Sequence, residues 1–460
     1  MKFSDKQTHK NNTLFYCLLA LLAWLPIPLG SNRPWAWNIF ELASYALFAF
    51  SAYKYRQTLF PRLSVYKLPI ALFTGFLFYV VVQTIPLPST LLSLLSPESA
   101  NMYLTAGVST APISIDAPQT SISLYKSVAY FCVFLTTLLL CDELKKIKRL
   151  MLLIIFAGLF QAMYGALEIL FGAETSWIFQ LPVKQNATGT FVYKNHFANF
   201  LMLCLSVGVG YLVSTLLTSK PTGGGHQKLR NFLSMFLNGK AFVRIALAIM
   251  VIALVMSRSR MGNTAFFLSM TVVGLLSLFL IKKRTKGLAL LIISMFIIDV
   301  FILSAWFGLD KVKDRIEQTS LSTETRDEVV IDSIPLLQDF ALTGSGLGTY
   351  YTAFPQHTGD EVYAFYDHAH NDYLQFAIEL GIPVTFLVFM LPLLALWQCV
   401  KVLKHRKSSM AKGAAFGVLM SIVGMAIHIS VDFPLQAPAN ATYFIVILAI
   451  GFVVSNKRLR

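Results

Sequence analysis

Charged residues are scarce in this chain. Asp, Glu, Lys and Arg fill 13% of its 460 positions while hydrophobic residues fill 56%, against roughly 25% charged in an ordinary soluble domain. The shortage excludes a water-solvated globule under a continuous polar shell and leaves a membrane as the natural medium. Cysteine is sparse too. Cys17, Cys132, Cys141, Cys204 and Cys399 all fall within or at the end of apolar runs, so the chain offers no disulfide framework for an oxidising compartment. No small-residue cleavage site follows the first apolar run, although Lys2, Lys6 and Lys10 precede it; the run is read as a retained helix rather than a removed signal. No internal repeat is legible.

What is abundant is apolar sequence. Runs long enough to cross a hydrocarbon layer of about 30 Å, which takes about 20 helical residues, recur about twelve times: near 13–29, 36–53, 68–86, 122–141, 150–171, 196–216, 241–257, 262–281, 287–308, 373–399, 413–431 and 441–455. The expected fold is an all-α polytopic membrane protein of about twelve transmembrane helices, with residues 1–460 forming a single integral membrane domain. Basic loops are retained in the cytoplasm. The pieces 1–12, 54–67, 142–149, 217–244, 282–286, 401–412 and the C-terminus hold 28 of the 38 Lys and Arg, but only Asp5, Asp142 and Glu143 among the 23 acidic residues. Both termini are therefore expected inside. The net charge of +15 reads as an insertion signal and a set of lipid-facing anchors; nucleic acid need not be invoked. The glycines of 221–225 fit a flexible cytoplasmic connector.

Under that topology the largest non-spanning piece, residues 309–371 between helices 9 and 10, lies outside. Loops of this length usually carry function. Its charged first part acquires helical spacing, with Val329, Leu336 and Leu337 on one face and Pro335 as a bend. The run ALTGSGLGTY and then YDHAHNDYLQFAIELGIP follow. Four other polar clusters are expected on the same side: GSNRPWAW at 30–37, NATGTFVYKNHFANF at 186–200, SRSRMGN at 257–263 and VDFPLQAPAN at 431–440. Five segments delivering Arg, His, Asn, Asp and Lys to one surface is how a site between helices is built.

Each cluster also has a plainer explanation. Arg33 with Trp35 and Trp37 fits an interfacial anchor; Lys194, Asn195 and His196 fit a polar helix start with Asn195 as its cap. Arg258 and Arg260 run against the positive-inside trend, which suggests an anionic ligand. GSGLG follows no strand and faces a compartment without ATP, so a tight turn is the better reading than a nucleotide loop. His368 and His370, with Asp367 beside them, lack the second ligand cluster that a metal site needs; no metal and no cofactor is expected.

His370, Asn371, nine residues and then Gly381, at the end of a large external loop, resembles the signature of the O-antigen ligase and O-antigen polymerase superfamily. GTFVYKNHFANF is similar to the family's Gly-Thr-Phe…Asn-His-Phe segment, SRSRMG to its Ser-Arg-rich segment, and the Pro335…GSGLGTY run precedes the histidine as it does there. The likeness covers roughly residues 150–400. Where the signature often has a small or polar residue three positions after its Gly, this chain has Val384, which weakens the choice of subfamily.

The resemblance implies a membrane glycosyltransferase of the bacterial inner membrane. It would take a glycan from an undecaprenyl-diphosphate carrier on the periplasmic side and pass it to an acceptor hydroxyl of lipid A core or a growing polysaccharide. Guanidinium groups can neutralise a departing diphosphate without a metal, and a histidine can accept the hydroxyl proton. On this reading His370 is the general base and Arg260 and Arg326 are the donor contacts. Arg258, Arg315, Arg33, Lys194 and His196 are further substrate-binding candidates, with Asn371 and Asp372 orienting the base or acceptor. Two alternatives stay open: a protein O-oligosaccharyltransferase, and a lipid-linked glycan flippase or transporter using Glu41, Glu168 and Asp299 as intramembrane acids.

Overall fold

A computed structural model describes residues 12–183, 185–218, 239–281, 293, 326–359 and 365–456; the side chains of 239, 240, 326 and 327 lie outside that description. Helices dominate it, as the apolar runs require. In a medium without water every backbone amide must find a partner in the protein, and a helix supplies one within its own segment. The long ones are α1 (Thr13–Trp24), α2 (Pro34–Lys54), α3 (Lys67–Thr84), α4 (Ala117–Leu140), α5 (Leu144–Leu170), α6 (Lys194–Leu216), α7 (Gly239–Met256) and α8 (Arg260–Leu280). After a gap in the description come α9 (Arg326–Asp339), α10 (Asp372–Leu380), α11 (Ile382–His405), α12 (Ser409–His428) and α13 (Pro438–Ser455). Eight described helical segments are long and apolar enough to cross a membrane. The expected run at 287–308 lies outside the described residues except for position 293.

The single run expected at 373–399 is divided. Gly381 adopts φ 76° and ψ 156° between α10 and α11, a conformation that only glycine enters without strain. A Cβ there would also strike the Leu342 carbonyl. Apolar composition ran straight through the break because α10 carries Leu374, Phe376, Ala377, Ile378 and Leu380 just ahead of the glycine, as a spanning helix would.

The core is organised around α6, which is buried continuously from Asn195 to Ser214 and packs against α5, α7, α8, α12 and α13. Its closest partner is α12. Small residues make the approach possible: a Cβ on Gly210 would collide with the Gly413 carbonyl, and one on Gly413 with Ser214. Helix association in lipid rests on such contacts because apolar burial gives no net drive between lipid-solvated helices. A second ring, α3, α4, α13 and α11, closes on itself through neighbouring pairs.

One end of the bundle carries a small polar cap. Residues 87–88 and 110–111 pair as a short antiparallel ladder, Leu87 opposite Ala111, flanking two short helices at Ser89–Leu95 and Pro97–Thr105. Val329, Leu336, Phe340, Tyr350, Phe354, Ala369 and Ile378 form a separate apolar cluster beneath α9 and α10, so the spacing of Val329 and Leu336 does mark a buried face. Pro335 sits inside α9.

Gly210→Val should separate α6 from α12. The expected cost is about 1–3 kcal/mol of overpacking, read as a lowered thermal midpoint of the detergent-purified chain, and an unchanged midpoint would refute the close approach.

Candidate active site

Five chain segments meet at the capped end. The Ala187 amide donates to the Met256 carbonyl (3.0 Å), the Thr190 hydroxyl donates to the Pro26 carbonyl (2.9 Å), and Gly30 packs on the Phe191 ring. The Asn195 amide donates to the Asp432 carboxylate, and the Asp372 amide to the carbonyls of Ile429 (3.0 Å) and Asp432 (3.3 Å). Convergence of 26–31, 187–196, 256–260, 366–372 and 429–436 is thus built from hydrogen bonds rather than from proximity alone.

At the centre is a phenylalanine. Phe433, only 9% exposed, stacks on His368 (centroids 4.4 Å, 29°) and on Tyr193 (5.6 Å, 14°). His370 and His196 meet its ring edge-on at 4.8 and 5.0 Å. Tyr366 packs against His370 from the other side at 5.7 Å. An aromatic in a polar cluster reads from sequence as ordinary core, and so Phe433 was not foreseen; its place in the polar VDFPLQAPAN run was the available signal.

The loop that carries His370 is held from both flanks. His370 itself has φ 51°, a left-handed conformation costing roughly 1–2 kcal/mol for a residue with a Cβ. On one side the Ala369 amide donates to Gln375 Oε1 (3.2 Å), and Gln375 Nε2 reaches His368 Nδ1 (3.1 Å) and Glu379 (3.0 Å). On the other, Asn371 caps α10 by accepting the Leu374 amide (3.1 Å), the preferred task of an N-cap amide. Burial pushes the His368 imidazole below its ordinary value, opposed by Asp367 and the Gln375 contact.

Two carboxyl groups anchor this frame. Asp372, fully buried, accepts the Leu435 amide and the Gln436 side chain, both at 3.0 Å, and so fixes the turn that presents Phe433. Burial pushes it up to about 8, against the pull of those hydrogen bonds. Glu379 accepts the amides of Gly348 (2.8 Å) and Tyr350 (3.3 Å), and burial pushes it up to about 7. The amides of the GSGLG turn are therefore engaged internally. Gln83 completes the closure, donating to the carbonyls of Thr343 (3.0 Å) and Glu379 (2.9 Å) while accepting the Leu347 amide (3.2 Å). GSGLG is a tight turn, with Gly344, Gly346 and Gly348 all at positive φ.

The arginines lie at the surface. In SRSRMGN the serines face in and the arginines out: Ser257 and Ser259 are buried, Arg258 and Arg260 exposed. Ser257 Oγ donates to the Leu254 carbonyl (2.6 Å) and accepts the Ser259 amide (3.2 Å), Ser259 caps α8 through the Gly262 amide (3.2 Å), and Asn263 donates to both Leu254 and Ser259 carbonyls. Arg258 has φ 51°. Arg33 is exposed, with Nη1 3.4 Å from the Asn32 carbonyl. Lys194 is half-buried at the first position of α6. Asn195 is not the cap expected there: Tyr193 occupies that position, and Asn195 turns inward to Asp432 because a buried carboxylate needs the donor. Arg315 lies outside the described residues, as does the side chain of Arg326.

Deeper in the bundle, Asn199 meets His428 Nδ1 (3.1 Å), and Asn440 donates to the His196 carbonyl (2.9 Å) and Asn199 (3.2 Å). Of the acids that a transporter would use, Glu168 sits at the end of α5 accepting the Trp177 amide (3.0 Å), a structural task, and Asp299 lies outside the described residues. Among the described residues no group of three or more His, Cys, Asp or Glu could hold a metal ion.

The folded Asp372 carboxyl binds its proton more tightly than the unfolded one. Its stabilising contribution is complete below pH about 4 and is lost as pH rises towards about 8. Asp372→Asn, whose amide can pair with a turned Gln436, should flatten the fall in thermal midpoint between pH 5 and 8; an unaltered slope would refute the assignment.

Residues 245–389 match the family model described as O-antigen ligase. That stretch runs from α7 into α11 and takes in Arg258, Arg260, the GSGLG turn and His370. No curated protein matches the chain. The matched segment spans both the arginine turn and the histidine turn, and it supports the likeness to the O-antigen ligase and polymerase superfamily.

Proposed function

We propose that the protein is an inverting, metal-independent glycosyltransferase that moves a glycan from an undecaprenyl-diphosphate carrier to an acceptor hydroxyl of lipid A core or a growing polysaccharide. The reaction takes place at the periplasmic face of the inner membrane, with both chain termini in the cytoplasm. The supporting observation is the pairing of two strained turns at one end of the bundle: one presents an imidazole against Phe433, the other two exposed guanidinium groups.

The chemistry follows from those groups. His370 takes the proton of the acceptor hydroxyl as its oxygen attacks the anomeric carbon. The bond from that carbon to the diphosphate oxygen breaks, a glycosidic bond forms with inverted configuration, and undecaprenyl diphosphate departs. Charge accumulates on the leaving oxygens, where Arg260 and Arg326 neutralise it through charge-assisted hydrogen bonds. Arg258, Arg315, Arg33, Lys194 and His196 extend the substrate contacts, while Asn371 and Asp372 orient the base or the acceptor. Positioned proton transfer contributes about 10²–10⁴-fold.

Transfer from a purified undecaprenyl-diphosphate glycan in EDTA is the test. Wild type should transfer, His370→Ala should lose about 10²-fold or more without loss of folded protein, and Arg260→Ala should be impaired. Full activity in His370→Ala, or a product that keeps the donor's anomeric configuration, would overturn the scheme.

A further inference from the structure

The turn that follows α5 holds none of the residues assigned to the reaction, yet it is built with care. It leaves the helix through Gly172, at φ 62°, and folds back on it. The Ala173 amide donates to the Glu168 carbonyl (2.9 Å) and the Val183 amide to the Glu174 carbonyl (2.9 Å), with Thr175 bridged to Pro182. Two side chains of α5 take up the amides at the tip. The Glu168 carboxylate accepts from Trp177 (3.0 Å), and the Tyr164 hydroxyl accepts from Ile178 (3.0 Å) while pairing with Ser176 Oγ (3.0 Å). Glu168, Tyr164 and Ser176 are themselves buried. What the turn presents outward is apolar: Phe171 is 75% exposed, and Trp177 and Ile178 are exposed to about half. A loop in water can leave its amides to solvent, whereas one that meets a dry layer must pair them inside the protein.

These side chains continue an apolar face of α5. Phe156, Phe160, Met163 and Leu170 are exposed among the described residues, at the three-, four- and seven-residue spacing of one helix face. The helix is long and apolar enough to cross a membrane. Its other end is basic: Lys145, Lys148 and Arg149 are exposed, and Arg149 donates to the Tyr16 hydroxyl (3.2 Å). Arg149 lies on the same face as Phe156 and Leu170, seven and twenty-one positions before them or three whole heptads in all. From Arg149 to Leu170 is about 32 Å of helix at 1.5 Å per residue, against about 30 Å of hydrocarbon in a bilayer. With Arg149 at one headgroup layer, Leu170, Phe171 and Trp177 reach the other.

We infer that this turn is a membrane foot, with Phe171, Trp177 and Ile178 seated in the lipid headgroup layer at the end of α5 away from Arg149. Lipid is the partner because the apolar face that leads to the turn has the length of a bilayer and a basic group only at its far end. Glu174, Thr175 and Gln180 are exposed on the same turn and need water, so the turn lies in the boundary layer and not in the hydrocarbon. An indole, apolar in its body and polar at its N–H, suits that layer. The foot bears on the reactive end through α5. Gln161 accepts the Thr190 amide (2.9 Å), and Gly165 approaches Gly189 so closely that a Cβ would strike the Gly189 amide nitrogen. A foot on α5 therefore sets the depth at which the segment carrying Tyr193 and His196 meets the membrane surface.

Nitroxide labels on the full chain in phosphatidylethanolamine and phosphatidylglycerol vesicles test this. Cys17→Ser removes the exposed native thiol, and the other four cysteines are buried. Collisions with oxygen, which partitions into lipid, are compared with collisions with a nickel chelate that stays in water. A label at Phe160→Cys should be dominated by oxygen and one at Glu174→Cys by nickel. Labels at Phe171→Cys and Ile178→Cys should both favour oxygen, at a shallower depth than Phe160; two positions guard against a disturbance by either label. Nickel-dominated collisions at Phe171 or Ile178 would put the turn in water and overturn the inference. So would shielding of both labels from both reagents, which would mean that protein covers the face; spin–spin broadening that fades on dilution with unlabelled chain would then identify a second copy. No glycan donor enters the measurement, so its outcome stands apart from the transfer chemistry.

Discussion

Asp372 is the residue through which the reactive end of the molecule is joined. Its backbone amide reaches back to the Ile429 and Asp432 carbonyls, and its carboxylate takes the Leu435 amide and the Gln436 side chain. Four hydrogen bonds therefore tie the first turn of α10 to the 429–436 turn through one fully buried position. A buried polar group left without its partner costs about 1–3 kcal/mol, so the two segments hold or fail together. Everything around Phe433 depends on this joint, since the ring that orders His196, His368 and His370 is carried by one segment and two of the histidines precede the other.

The two strained turns share a construction. His370 and Arg258 both sit at φ 51°, where a glycine would rest at no steric cost. Each is surrounded by small polar residues that satisfy the local backbone: Asn371 and Gln375 for the histidine, Ser257, Ser259 and Asn263 for the arginine. Those locks consume the side chains next door and leave the imidazole and the guanidinium as the groups presented. Strain of this kind persists only where the surroundings over-determine it. Here the surroundings do so twice, in turns separated by more than a hundred residues of sequence.

Much of the scaffold was legible in the sequence. Apolar run length located the helices within a few residues, because a hydrocarbon medium permits few other ways to pair a backbone. The glycine turn at 344–348 and the buried face of α9 were legible for the same local reasons. The break at Gly381 was not, since a half-buried helix and a spanning one share a composition. Of the capped end, the polar members announced themselves as clusters. Phe433, Gln83, Gln375 and Glu379 did not: such side chains acquire meaning only from partners far along the chain, as Gln83 does from Thr343 and Leu347.

The placement of charge fits a substrate that belongs to two phases. A lipid-linked glycan has a tail soluble only in hydrocarbon and a head soluble only in water, so a protein that handles it must offer both media within a few ångströms. Guanidinium groups suit the wet side, because they stay ionised and bind phosphate oxygens in pairs; Arg258 and Arg260 are exposed accordingly. Asp372 and Glu379 are carboxyls whose burial raises their proton affinity. Holding acids of that kind next to an anionic head is tolerable only because their charge is weakened by protonation or answered by backbone amides, and the Gly348, Tyr350 and Leu435 amides are placed to answer it.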